Sequence, residues 1–275
     1  EIVLGNRDRL LSASSPTGPA FEGAQISSGQ RAAPGAIERV RIDPETLEPR
    51  FKVIGCDLWS DDPSFESQLG IGAITGICGS GIIEVLGEMY LSGVINTDGV
   101  IDGELINRSD RIVEDGRTFS YVLHAGAVTI TITQNDVRAI QLAKAALYAG
   151  VRLLMDKLNV DKIDRIRLAG AFGSHIDVKY AMVLGLIPDC AIENVTSAGN
   201  AAGSGAHIAL VDSNARLEIE REVRRIEKIE TAVESRFQEH FIEAMAIPHK
   251  TASYPELSKV VSWPARSESK ESVPS

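Results

Sequence analysis

The stretch from Asp164 to Asp177, Asp-Arg-Ile-Arg-Leu-Ala-Gly-Ala-Phe-Gly-Ser-His-Ile-Asp, constrains the fold more than any other. A short apolar run, Ile166 to Ala169, rises out of charged residues and ends on Gly170 and Gly173. That pattern predicts a buried strand delivering a tight glycine turn, the arrangement by which layered α/β proteins bring backbone against a nucleotide. One such turn is a weak signal. Its weight depends on other glycine loops that could converge on it.

Three further loops qualify. Ser14 to Ala24 is rich in turn formers, with Pro19 suited to a first helical turn and Ala20 to Ile26 to a short helix. Composition favours a plain turn there. The functional alternative has the amides of Gly18 to Gly23 facing a phosphate and Glu22 beside a metal or its water. Between Gly70 and Gly81 the sequence holds glycine at 70, 72, 76, 79 and 81 and runs straight into an amphipathic pattern, Ile82, Ile83, Leu86, Met89 and Tyr90. Ser80 can cap that helix, leaving the free N–H groups of Gly79-Ser80-Gly81 for a ligand. Close packing through small residues explains the same glycines, and the two readings are compatible. The last loop, Ser197 to His207, contains Gly199, Asn200, Gly203 and Gly205 and leads into Ile208 to Val211, so its glycines sit at a helix start.

The remaining pattern supplies a scaffold. Ile2–Leu4 and Arg9–Ala13 flank a Gly-Asn-Arg-Asp turn and read as a hairpin. Ile37–Ile42 and Phe51–Cys56 alternate as strands about Asp43-Pro44, and 57–68 reads as a polar loop. Residues 95–131 read as small β structure, with turns at Asp98-Gly99 and Asp102-Gly103 and strands over 119–124 and 128–133. Thr133 to Asp136 caps a helix over 135–158 whose Gly150 predicts a close neighbour. A helix over 178–184 and a turn at Gly185–Asp189 follow. Apolar positions from Ile219 to Phe241 step at helical spacing, predicting one long, charged surface helix over 214–246, stopped by Pro248. The tail, 249–275, is expected to be disordered from about 263. His124, His175 and His207 lack ligand spacing and read as structural.

The net charge of −10 argues against a nucleic-acid partner. No apolar run approaches the ~20 residues a bilayer requires. Cys56, Cys78 and Cys190 form no ligand pattern and read as small buried residues in a reducing, cytoplasmic compartment. The chain opens without Met on Glu1-Ile-Val-Leu, a strand already under way, and is expected to be part of a longer protein.

Taken in order, SSPTGPAFEGAQIS, GAITGICGSGIIEVL, TQNDVRAIQLAKAAL, LAGAFGSHID, GLIP and GNAAGSGA closely resemble the C-terminal domain of the ATP-dependent reductive activators of corrinoid proteins. The resemblance covers about 1–250. It implies an α/β fold of the ribonuclease-H-like, actin-type ATPase class: a lobe with a mixed sheet flanked by helices and a long C-terminal helix, over 1–248. It also implies ATP with Mg2+ in a cleft between lobes. Gly170, Ala171, Phe172 and Gly173 match the adenosine motif, and Gly76 to Gly81 match the inter-lobe motif. Gly18 to Gly23 follow the second phosphate strand, with Gly199 and Asn200 joining the nucleotide side. In the family, a [2Fe–2S] domain outside this chain supplies electrons to Co(II) corrinoid in a protein of a methyltransferase system, and a homodimer is compatible. The family's aspartate-glycine-threonine motif and first phosphate loop are absent from the chain, so the isolated chain is expected to be inactive. Ala171 stands where relatives usually carry Gly. A small-molecule kinase on the same scaffold and a non-catalytic, nucleotide-gated docking module are the alternatives.

Overall fold

The Asn6 side chain makes the first turn, accepting hydrogen bonds from the Asp8 and Arg9 amides at 2.9 and 3.0 Å. In the computed structural model, which describes residues 1–69 and 74–264, this joins β1 (Ile2–Gly5) to β2 (Leu10–Ala13) as an antiparallel pair. β3 (Ala36–Ile42) and β4 (Pro49–Val53) pair as expected, Asp43 holding the intervening turn through the Glu45 and Thr46 amides. The stretch expected as loop contains a short helix, α1 (Phe65–Leu69), because Phe65 is buried edge-on against Phe51. Gly70 and Gly72 lie outside the described residues.

β5 (Gly76–Ile77) pairs in parallel with the first residues of β3, and the chain then enters α2 (Gly79–Leu91). Beyond β5, the outward amides of β3 find carboxylates instead of a strand. Val40 N donates to Glu84 at 3.0 Å and Ile42 N to Glu88 at 2.9 Å. The spacing matches because four helical residues rise about 6 Å and two strand residues about 6.6 Å. α2 is therefore enclosed, with eleven of its thirteen residues buried, where the sequence pattern predicted a single apolar stripe. The polar positions that suggested a wet face are the two carboxylates holding β3.

β6 (Ile112–Asp115), β7 (Thr118–His124) and β8 (Ile130–Thr133) form an antiparallel sheet. Asp102 proves to be a cap, accepting from the Glu104 amide at the head of a 3-10 turn over Gly103–Asn107. α3 (Gln134–Leu158) starts on a full capping box between Thr133 and Asp136 and ends at Asn159 in left-handed conformation. Its Gly150 lies against Ser15 and Ile2, as the close-neighbour expectation required.

β9 (Ile166–Ala169) is half-exposed rather than buried, since its one described partner is a later parallel strand. α4 (Ala171–His175) and α5 (Val178–Val183) follow, then β10 (Val195–Gly199), which pairs with β9, and α6 (Ala201–Val211). The expected long C-terminal helix is broken: α7 (Ser213–Arg225) gives way to β11 (Ile226–Ile229), a 3-10 turn and α8 (Ser235–Glu243). Ile226 to Ile229 pair in parallel with β2, and Ile229 joins Leu11, Ala13, Leu153 and Leu154 in a small core. Burying a β-branched strand there outweighs continued helical periodicity. α7 has no buried residue, so its stripe, with Leu217 67% and Val223 60% exposed, is unpacked among the described residues.

The main core joins α2, α3, α5 and the β3–β4 and β6–β8 sheets. The segment after α8 belongs to it as well. Gln141 and Lys144 of α3 donate to the carbonyls of Met245, Ala246 and Pro248, while Asp189 accepts from the Glu256 and Leu257 amides. Tyr254 and Leu257 are buried, so the expected tail is packed at least to Leu257, and the disorder expected further on falls mainly outside the described residues.

Candidate functional site: an open glycine shelf and a packed glycine cluster

The carboxyl ends of β9 and β10 both break into glycine. Gly170 (φ +99°) and Gly199 (φ +57°) are left-handed, and the Gly170 amide donates to the Gly199 carbonyl at 2.7 Å. A methyl group placed on either glycine would meet nothing within 4 Å. The two turns thus form one open backbone shelf at the carboxyl edge of parallel strands, where α/β proteins take their ligands. Asn200 caps α6 by accepting the Gly203 amide at 3.0 Å, leaving the first amides of that helix directed at the shelf's end. Ser174 and Ser197 bridge the two loops at 2.9 Å. Gly173 serves packing: a methyl there would lie 2.9 Å from the Leu168 side chain. Ala171 and Phe172 lie in α4 beside the shelf. His175 and His207 are both exposed.

The other predicted residues gather around α2. Gly18 (φ +63°) is exposed, and Pro19 leads a 3-10 turn over Ala20–Glu22 that closes on Gly23 (φ +84°). This turn covers less than the helix expected to Ile26. Glu22 is exposed on it, and among the described residues no three His, Cys, Asp or Glu side chains cluster as metal ligands. Beyond Gly23, residues 28–30 run along β5, with Ile77 N to Ser28 O and Gln30 N to Ile77 O both 2.9 Å. That close approach explains Gly76, whose added methyl would lie 2.7 Å from the Ser28 carbonyl oxygen. Gly81 is tighter still, 2.4 Å from the Ile37 carbonyl oxygen. Gly79 starts α2, but Ser80 does not cap it: Cys78 occupies that position, with no side-chain hydrogen bond, and Ser80 is 8% exposed. The four sequence loops therefore resolve into an open shelf and a closely packed glycine cluster, with the Ala20–Glu22 turn and α4 both packed on α2.

Sequence reasoning missed two supports. Asp136, recognised as a cap, is 1% exposed and also accepts from Ser27 N (2.8 Å) and Ser27 Oγ (3.0 Å), tying the Gly23 loop to the head of α3. Glu88 accepts from the Tyr180 hydroxyl, and burial, followed by Glu88, pushes the Tyr180 pKa well up. Burial also works against the Arg41 charge, but Glu84 in the first place more than offsets it, so the Arg41 pKa is raised. A carboxylate on a helix spaced to match a neighbouring strand edge was the available signal, and nothing in the sequence aligned the two. His124 packs edge-on to Phe51 at 5.6 Å, its pKa lowered by burial and then by Arg111.

An apolar groove of about 340 Å³ borders Gly18 and is floored by Ala143 and Ala146 of α3 and walled by Phe237 and Phe241 of α8. It does not include the shelf. No helix among the described residues is long and apolar enough to cross a membrane.

Residues 1–258 match the family model described as the C-terminal domain of RACo, the ASKHA domain. The chain is 35% identical over 223 residues to the corrinoid activation enzyme RamQ of Eubacterium limosum, covering 77% of this chain and 35% of that protein. It is 28% identical over 211 residues to the [Co(II) methylated amine-specific corrinoid protein] reductase of Methanosarcina barkeri, covering 73% and 35%. A solved structure, "Reductive activator for corrinoid,iron-sulfur protein", superposes with a TM-score of 0.76 at 35% identity, over 90% of this chain and 38% of that one. The chain thus spans little more than a third of the length of each of these relatives.

Proposed function

Since this chain belongs to the family of the RACo C-terminal ASKHA domain, an actin-like α/β fold, we propose that it is the nucleotide-binding part of a reductive activator of corrinoid proteins. The observation that carries the reading is the open shelf at Gly170 and Gly199, two left-handed glycines with free space above them at the ends of parallel strands. Their backbone can approach a flat adenosine as no residue bearing a Cβ could. Gly173 and the Ser174–Ser197 bridge keep α4 seated beneath it.

In this reading ATP lies with its adenosine on the shelf, against the backbone of Gly170 to Gly173 and Gly199-Asn200, and its phosphates toward the Gly18–Gly23 turn. Asp136 holds the loop after that turn, and both the turn and α4 pack on α2. The described residues provide no cation cluster, so Mg2+ would be held by phosphate oxygens and water, with Glu22 the exposed carboxylate of the turn. Cys56, Cys78 and Cys190 are buried and unpaired, which does not fit a [2Fe–2S] cluster, and such a donor belongs outside these residues. The activated reaction is a one-electron reduction of Co(II) to Co(I) in a corrinoid protein of a methyltransferase system, one electron arriving from that donor while ATP is hydrolysed to ADP and phosphate.

The test uses the full-length protein with reductant and a Co(II) corrinoid protein, following the Co(I) absorption band with and without ATP. With reductant present in both arms, Co(I) is expected only when ATP is added, and Gly199→Val should lower ATP affinity in calorimetry by at least about tenfold, equivalent to about 1.4 kcal/mol. Equal Co(I) formation without ATP, or unchanged ATP binding by Gly199→Val, would overturn the reading.

A further inference from the structure

Two consecutive helices of this chain meet solvent in opposite ways. α7 has no buried residue, and Arg216, Glu218, Glu220, Arg221, Glu222 and Arg224 clothe it in charge, as suits a surface helix. α6 also has no buried residue, yet it holds no Asp, Glu, Lys or Arg anywhere from Ala201 to Val211. Only Gly205 and Ala209 are half-buried, and they mark the side of α6 turned toward the rest of the chain. At about 100° per residue, Leu210 and Val211 point away from that side, and they are 78% and 67% exposed.

A surface helix sets apolar residues on one side and charges on the other, whereas a helix apolar on all sides belongs to an interior. By composition α6 is an interior helix. Among the described residues nothing covers its far side.

We propose that the far side of α6, around Leu210 and Val211, is an internal interface, covered permanently by another segment of the same polypeptide in the full-length protein. Permanence follows from the missing charges. A face left bare between encounters with a partner needs charges among its apolar residues, because a bare apolar patch associates without selectivity. α6 carries none. The relatives supply the occupant: the chain spans little more than a third of each, and the rest of such a polypeptide is always at hand. A bilayer does not fit, since eleven helical residues rise about 16 Å against a ~30 Å hydrocarbon core. Lying flat on a membrane takes a strongly polar opposite face, which α6 also lacks. The covering surface is accordingly apolar and uncharged where it meets Leu210 and Val211. The inference rests on the length of the relatives and not on the activator reading.

The experiment is hydroxyl-radical footprinting of the full-length protein, read residue by residue by mass spectrometry. Each rate is divided by that of the same residue in the urea-unfolded protein. Leu210 and Val211 should be protected at least about threefold, and smaller protection would overturn the proposal. The protection should be the same from about 20 to about 0.2 µM protein, with or without added corrinoid protein. Loss on dilution would assign the cover to a second copy, and protection appearing only with corrinoid protein would assign it to that partner; either result sinks the proposal. Leu210→Asp/Val211→Asp should lower the melting temperature of the full-length protein, whereas Leu217→Asp on α7 should leave it within about 1 °C. No greater loss from the α6 pair than from Leu217→Asp would also count against it. None of these outcomes touches Co(I) formation with ATP, so the activator reading stands or falls separately.

Discussion

At the start of α2, a methyl group added to Gly81 would lie 2.4 Å from the Ile37 carbonyl oxygen; at the end of β9, one added to Gly170 would meet nothing within 4 Å. Both glycines stand where a strand turns into a helix. Around Gly81, glycine is required because another backbone occupies the space. At the shelf, it is required by backbone conformation, and the space above it holds no atom within 4 Å. One region is closed by its own backbone and the other stands open.

The largest expected effect tests the closed side. Glu84→Ala leaves the buried Val40 amide unanswered and returns Arg39 and Arg41 to opposing Lys52 and Arg50 without compensation. Stability should fall by about 3 kcal/mol in chemical denaturation. Arg167→Ala, on exposed β9, should move it by less than about 0.5 kcal/mol. Similar losses in both would erase the distinction between the two sides.

The glycines sharpen it further. Gly81→Ala forces backbone against backbone and should cost about 2–3 kcal/mol, with no nucleotide effect beyond that loss. Gly170→Ala has room for its methyl and suffers only conformational strain at φ +99°, about 1–2 kcal/mol, but should weaken ATP binding disproportionately. Calorimetry with ATP beside a denaturation curve separates the two. If both variants lost affinity only in proportion to stability, the shelf would be structural.

How much of this was legible follows from the range of each signal. The α3 cap, the β1–β2 hairpin and the glycine run into α2 are local, encoded within a few residues, and were read correctly, whereas the short helix α4 directly after Gly170 was not expected. The supposed helix over 214–246 failed because Ile226 and Ile229 keep helical spacing while pairing with β2, more than two hundred residues earlier. Ser80 failed as a cap for a related reason: the sequence shows a good capping residue, but the preceding Cys78 takes the extended conformation that a cap needs. Which glycines are crowded and which are open depends on the Ile37 and Ser28 carbonyls, and no spacing within 76–81 reports those. The pairing of Glu84 and Glu88 with β3 is long-range for the same reason.

A third test addresses the core around α3 through pH. His249 is 7% exposed, its Nδ1 accepting the Thr251 and Ala252 amides and its ring 4.8 Å from that of Tyr148. Burial first, then Lys144, Arg152 and His240, hold its pKa down to about 4. The unfolded chain, with histidine near 6.5, therefore binds the proton more readily, so stability falls as pH drops from about 6.5 toward 4 and is level above that window. The loss should be about 1–2 kcal/mol by pH 5. In His249→Gln the slope of stability against pH should be shallower over that interval. An identical slope would assign the acid sensitivity to other groups.

The smallest effect is the most discriminating, because it changes sign within one helical turn. A methyl on Gly203 would lie 2.4 Å from the Asn200 side chain that caps α6, so Gly203→Ala should displace the cap and cost up to about 1 kcal/mol. Gly205, in the same helix, has nothing within 4 Å and no left-handed backbone, so Gly205→Ala should stabilise by about 0.5–1 kcal/mol in thermal denaturation. That gain is expected only if α6 is as open as it stands here. A loss at Gly205 in the full-length protein would mean that another part of the protein packs on α6 and crowds this glycine as Ile37 crowds Gly81. A gain in stability coupled to weaker ATP binding would instead extend the shelf by one turn, the new methyl meeting no atom of the described residues within 4 Å.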